Sequence, residues 1–288
     1  MPTESLICEV DPDWRDYDVR LTPGWAKHLD SLISRRNRLK PVAFDLTADL
    51  RAVSITASSP RQMVAGLSGF ATGYVNGKRE PTPVYRIADA MTRRLAGKLQ
   101  HRLSLSEAQL TEVRGACLEI QSEISTVQDA KLEFKPDDIW AEFMQNKGFQ
   151  FSLWGTQRIC FVSAYNAYDN FLTRCVSLAL QQPTFRRKRD DVFAEAIEDN
   201  FGKQALEHCW RCSAVAVPRE VRNALSHSGG RETDKLRSLT HDFPIRNGVI
   251  QVQAGHNKKL LRMIESRANY LAEITNRLPQ FLKDRKKK

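Results

Sequence analysis

The order of apolar and polar positions along the chain reads almost throughout as helix. Trp25, Leu29, Leu32 and Ile33 recur at three- and four-residue spacing, which predicts one amphipathic helix over 25–39. Leu46 to Ile55 fits helix and strand equally well. Pro60 to Tyr74 reads as a helix that gives way to a loop at Asn76-Gly77, Pro81 and Pro83. Ile87, Met91, Leu95 and Leu99 fall nearly in line and predict a helix over 84–103. The run Ser104-Leu105-Ser106-Glu107-Ala108-Gln109 carries the side-chain chemistry of a helix start. The helix behind it extends to about Phe134, with Leu110, Val113, Cys117, Ile120, Ile124 and Val127 on one face. Lys135-Pro136-Asp137 then breaks the pattern, and a short helix runs from there to about Asn146.

From Gly148 the pattern changes. Phe149 to Leu180 holds Phe151, Leu153, Trp154, Ile159, Phe161, Val162, Phe171, Leu172 and Val176, too apolar all round for a surface helix, so it belongs at the centre of a bundle. Within it Tyr165, Asn166, Asp169 and Asn170 form a polar patch. Pro183 ends this helix, and 190–200 and 202–215 read as two more. Pro218 opens another, since a missing N–H costs nothing in a first turn. A brief helix over 234–241 precedes a β-hairpin over 243–252, whose Asn247-Gly248 suits a type I′ turn. Leu260, Leu261, Ile264, Leu271, Ile274 and Leu278 mark a closing helix over 257–282. The fold class expected is mainly α: a helical N-terminal region over 1–147, then a helical bundle with a small β-hairpin over 148–288.

Composition narrows the function. A chain of 288 residues, 41% hydrophobic and 27% charged, is that of a soluble globular protein with one large or two ordinary domains. No apolar run approaches the roughly 20 residues needed to span a bilayer. The first residues lack both a basic segment and an apolar segment of a secretory signal, so a cytoplasmic location is expected. The six Cys then read as reduced. Cys209 and Cys212 form a C-x-x-C beside His208, but no second ligand pair accompanies them, so they read as two helix cysteines and no metal or other cofactor is expected. There is no phosphate-binding glycine loop, no dinucleotide turn, and Gly66-Leu67-Ser68-Gly69 does not complete a nucleophile elbow. The net charge is +10 and uneven, with ten Lys and Arg against three Asp and Glu from Asn257 onward. Arg186, Arg187, Lys188 and Arg189 form one basic cluster, and the tail with Lys286 and Lys287 a second. These read either as solvated surface or as a general attraction for a polyanion, RNA above all.

The stretch with most chemistry is Pro218 to Gly230. Val221, Ala224 and Leu225 give it a short apolar stripe, and Gly229-Gly230 stops it. On the polar side are Arg222, Asn223, Ser226 and His227. Arg222-Asn223-Ala224-Leu225-Ser226-His227, with Ser-Gly-Gly directly after it, resembles the signature of the HEPN family, and the resemblance covers the chain from about residue 150 onward. It implies an all-α bundle that forms a homodimer and, in many members, cuts RNA without a metal. The attacking group would be the substrate's own 2′-hydroxyl. His227 would carry protons near neutral pH, and Arg222 would face the phosphoryl oxygens. Asn223 would orient the imidazole or add a donor, with Asp169, Asn166 and Ser226 in support. The alternative is a catalytically silent module that binds RNA or a protein. A toxin or antiphage defence setting, with an antitoxin or sensor as partner, is also implied. The position of the modifiable Tyr of some members is Gly229 here, which argues against that mode of control.

Deleting Lys283 to Lys288 is expected to raise the KM for RNA far more than it lowers kcat, because tail charges act through screened long-range attraction. Steady-state cleavage at several salt concentrations checks this; a kcat that collapses at saturating RNA would place the chemistry elsewhere.

Overall fold

The computed structural model describes residues 9–77, 90, 93–95, 97–99, 105–126, 133–183, 185 and 189–282. It is mainly helical, with one small two-stranded antiparallel sheet. The helices are α1 (Trp25–Leu32), α2 (Lys40–Ala57), α3 (Ser59–Gly77), α4 (Glu107–Thr126), α5 (Pro136–Met144), α6 (Lys147–Ala179), α7 (Asp190–Phe201), α8 (Lys203–Leu206), α9 (Ser213–His227), α10 (Asp234–Arg237) and α11 (Ala254–Thr275). Strands β1 (Ile245–Arg246) and β2 (Val249–Ile250) lie between α10 and α11. Packing divides the chain into two compact units: 1–62 together with 143–288, and 63–142. The first 62 residues therefore pack with the second half of the chain, not with the rest of 1–147.

In the larger unit α6 is the central element. Leu153, Cys160, Phe161, Ala164, Tyr168, Phe171, Leu172, Cys175 and Val176 are all buried along it. Helices α2, α9 and α11 lie against it. Gln157 sits amid this core at 2% exposure, where an unpaired amide is costly. Its Nε2 donates to the Ala57 carbonyl that ends α2, at 3.1 Å. Asn257 of α11, fully buried, donates through Nδ2 to the Gln157 carbonyl at 3.0 Å and to its Oε1 at 2.8 Å. Three helices thus meet on one pair of amides. The N-terminal segment is fastened to α11 as well: Trp25 Nε1 donates to Asn269 Oδ1 at 3.0 Å, and Ala254 N to Asp11 Oδ2 at 2.9 Å.

The ambiguous stretch 46–55 is helical, within α2. The single helix expected over 25–39 stops at Leu32, where Ile33 turns extended. Asn37 is the reason: its buried amide donates to Thr275 Oγ1 and Asn276 Oδ1 and its Oδ1 accepts from Leu39 N, so the chain turns there to reach α11. The hairpin forms as expected, with Ile245 opposite Ile250 and Asn247 and Gly248 at φ 49° and 74°, the positive values a type I′ turn requires. The long helix over 149–180 is α6, and the closing helix is shifted to 254–275.

In the smaller unit Ser106 and Gln109 cap α4 reciprocally, the Ser106 N–H reaching Gln109 Oε1 at 3.0 Å. The Phe134 N–H donates to Thr72 Oγ1 of α3 at 3.0 Å. Met63, Leu67, Phe70 and Tyr74 lie along one exposed face of α3. Most of the helix expected over 84–103, and 127–132 of the one before α5, lie outside the described residues.

Asn257→Ala leaves Gln157 Oε1 buried without its donor, so unfolding free energy is expected to fall by about 1–3 kcal/mol. Urea denaturation measures it; the double variant Gln157→Leu/Asn257→Leu should recover part of the loss, and a change under about 0.5 kcal/mol for Asn257→Ala would show that this contact does not hold the helices.

Candidate functional site

The signature helix starts earlier than its sequence suggests. Helix α9 begins at Ser213, behind an extended Cys212, and Pro218 lies inside it. Burial of Val215 and Val217 favours the extra turns. The cost is the helical partner of the Ala214 carbonyl, which Pro218 cannot supply. Ala214 is exposed, so water reaches that carbonyl and the penalty is small. The helix expected over 202–215 is interrupted instead by a π turn at Glu207–Arg211. Tyr168 of α6 donates its hydroxyl to the Cys209 carbonyl at 2.6 Å and holds this turn against the core.

Arg222 leaves α9 toward α6. Its Nη2 meets Asp169 Oδ2 at 3.1 Å, and its guanidinium carbon lies 5.3 Å from the centre of the Tyr165 ring. Both side chains are largely shielded, at 15% and 22% exposure. Arg222 Nε is buried with no hydrogen-bond partner among the described residues. Of the residues named in support of the site, Asp169 lies beside Arg222. His227 and Ser226 are exposed on α9 and Asn223 is partly buried, and no side-chain hydrogen bond ties them to another described residue. Asn166 is not brought to Arg222; it is exposed and lines a groove with Asp49 and Thr56 of α2.

The exit of α9 is closed by glycines. Gly229 and Gly230 have φ of 62° and 81°, and Gly230 N closes the helix on the Ala224 carbonyl at 2.9 Å. The hairpin holds the chain just after this exit: Ile250 N donates to the Gly230 carbonyl and Glu232 N to the Gly248 carbonyl, each at 2.9 Å. Against the exit lies Arg158 of α6, whose Nη2 donates to the Gly229 carbonyl at 3.1 Å. Its guanidinium stacks 4.2 Å from the centre of the Trp154 ring, and Trp154 Nε1 is oriented by the buried Gln251 Oε1 at 2.9 Å. Partial burial lowers the Arg158 pKa from its ordinary value. Arg158 is not among the site residues expected from the sequence. Its signal there is spacing: Arg158 and Asp169 are eleven residues apart, within about 20° of one line on a helix.

Of the basic residues, Arg189 pairs with Asp191 at the start of α7, its Nε meeting Oδ1 at 3.1 Å. Arg186, Arg187, Lys188, Lys286 and Lys287 lie outside the described residues. Cys209 is fully buried, which pushes its thiol up to about 12, and Cys212 Sγ lies 3.7 Å from Arg267 Nη2. Among the described residues no three His, Cys, Asp or Glu side chains gather as a metal site, and no helix is long and apolar enough to cross a membrane. Comparison with protein-family models found no match, and neither the curated proteins nor the solved structures gave one.

A Cβ on Gly230 would come within 1.8 Å of Arg158 Nη2, whereas one on Gly229 meets nothing within 4 Å. Gly229→Ala is therefore expected to cost about 1–2 kcal/mol of stability from its left-handed backbone alone, and Gly230→Ala about 1 kcal/mol more from the displaced guanidinium. Denaturation in the wild-type and Arg158→Ala backgrounds checks it: the gap between the two variants should close when Arg158 is absent.

Proposed function

We propose that this chain is an endoribonuclease of the HEPN type, working without a metal through Arg222 and His227. The observation that carries the reading is the arrangement on α9: Arg222 is held in place by Asp169, and His227 lies further along the same helix, exposed and unengaged. A guanidinium fixed beforehand can face phosphoryl oxygens without reorganising as charge develops on them. In the reaction the RNA 2′-oxygen attacks the adjacent phosphorus and loses its proton to a base. The bond to the 5′-oxygen breaks, and that oxygen takes a proton from an acid. The products carry a 2′,3′-cyclic phosphate and a 5′-hydroxyl, with no oxidant, reductant or cofactor required. One imidazole cannot be base and acid in the same instant, so a homodimer with two His227 in one groove suits the chemistry. Asn223 and Ser226, on the same helix, would add donors.

A second reading has its own support. Arg222 spends its charge on Asp169 at 15% exposure, as a purely structural arginine does. The same fold would then be a silent module that binds RNA or a protein partner, within a toxin or antiphage defence system or outside one.

The two readings separate in one experiment. Purified protein incubated with total RNA in EDTA is expected to cut it and leave cyclic phosphate ends, while His227→Ala lowers kcat at least about a hundredfold with its melting temperature intact. Light scattering of the same preparation is expected to give a dimer. Cleavage that vanishes in EDTA and returns with a divalent ion would defeat the metal-free mechanism, and no cleavage at all would leave the silent module standing.

A further inference from the structure

We infer that Arg158 holds a second phosphate, one flanking the bond that Arg222 faces. The inference rests on the reading that RNA lies along α9. An electrostatic imbalance points to it. Arg158 is half-buried, yet no carboxylate lies within ion-pair distance of it among the described residues. Its one hydrogen bond is to the Gly229 carbonyl, so most of its five donors are unused. Arg222, by contrast, has Asp169. A half-buried guanidinium without a counter-ion, its unused donors open to solvent, is a natural complement of a phosphodiester.

The surroundings hold that cation in one place. Trp154 lies under it and is fixed by Gln251, which is fully buried next to the hairpin. Gly230 lies over it, and only glycine leaves the room. The chain segment that crosses Arg158 is the one directly after His227. Helices α6 and α9 run antiparallel here: Asp169 meets Arg222, and Arg158 meets Gly229. Along α6 the two anchoring residues, Arg158 and Asp169, are eleven residues apart, a helical rise of about 16 Å. That is too far for both guanidinium groups to grip one phosphate. Arg222 and Arg158 therefore take different phosphates of one strand, with the exposed side chain of His227 between them along α9.

The test uses full-length protein and a short fluorescein-labelled oligonucleotide whose 2′-hydroxyls are methylated, so that binding is read without cleavage. Anisotropy titrations at several salt concentrations compare wild type with Arg158→Gln, and the same sequence as single-stranded DNA forms a second arm. Arg158→Gln is expected to weaken binding about tenfold and to reduce the slope of log K against log salt by about 0.7, the value for one phosphate of a single strand. Both arms should lose the same amount, because a phosphate is common to them. An unchanged slope and affinity in a folded Arg158→Gln overturns the proposal, and so does a loss confined to the methylated RNA. On cleavable RNA the variant should raise KM more than it lowers kcat; the opposite split would move Arg158 to the reacting phosphate and overturn the flanking assignment. If Arg158→Gln does not fold, Arg158→Lys keeps the charge and loses the fork: weaker binding at an unchanged slope supports the contact, and unchanged binding overturns it. A protein that cuts nothing, yet shows the Arg158-dependent slope, refutes the nuclease reading and leaves this one in place. Cleavage with an insensitive slope does the reverse.

Discussion

Helix α6 sets the terms for the larger unit. This helix of 33 residues carries a run of apolar side chains from Leu153 to Val176 that its neighbours must cover, and it leaves one stripe with Ile159, Ser163, Asn166 and Asn170 open to water. The second half of the chain supplies α9 and α11, and the N-terminal α2 covers a further side. This explains why the first 62 residues pack with a segment that begins only at Phe143. The buried amides of Gln157 and Asn257 then fix the helices in register, since any slide along α6 would strand hydrogen-bonding groups in the core.

The few charges that α6 does carry are as informative as its apolar residues. Arg158 and Asp169 lie on one line of the helix, facing α9. Whatever covers that line must offer an acceptor at one end and a cation at the other, and α9 offers both, the Gly229 carbonyl and Arg222. The hairpin completes the arrangement by taking the Gly230 carbonyl into its edge and by presenting Gln251 to Trp154. The double glycine that ends the signature helix is thus tied to the hairpin through the backbone and through one indole.

Much of this was legible in the order of residues. The apolar run of α6, the Asn247-Gly248 turn and the capping residues of α4 act locally, so their consequences can be read without knowing what they touch. What escaped was set by distant partners. The break at Leu32 comes from Asn37 reaching α11, and the π turn before α9 from Tyr168 reaching Cys209. Pro218 misleads because a proline usually sits in a helix's first turn, whereas here two buried valines outweigh one lost hydrogen bond at an exposed residue. In the site, Asp169 stands out in sequence as part of a polar patch on α6, but its pairing with Arg222, 53 residues on, is set by the packing of two helices. Arg158 was hidden among aromatic residues, where a long apolar stem blends into the core pattern.

Within the site, fixed groups and free groups separate cleanly. Two cations are anchored at α6: Arg222 by Asp169 and Tyr165, Arg158 by Trp154 and Gly229. His227 and Ser226 are exposed on α9 and Asn223 is partly buried, and no side-chain hydrogen bond to another described residue holds them. An imidazole left to rotate loses the orientation on which proton transfer depends, and ordering it costs rotamer entropy. On the nuclease reading that order must come from outside this chain, from the bound strand or from a second copy set against α9. Activity would then depend on assembly and on substrate together, because the isolated chain supplies the charge framework and leaves the proton-carrying group unconstrained.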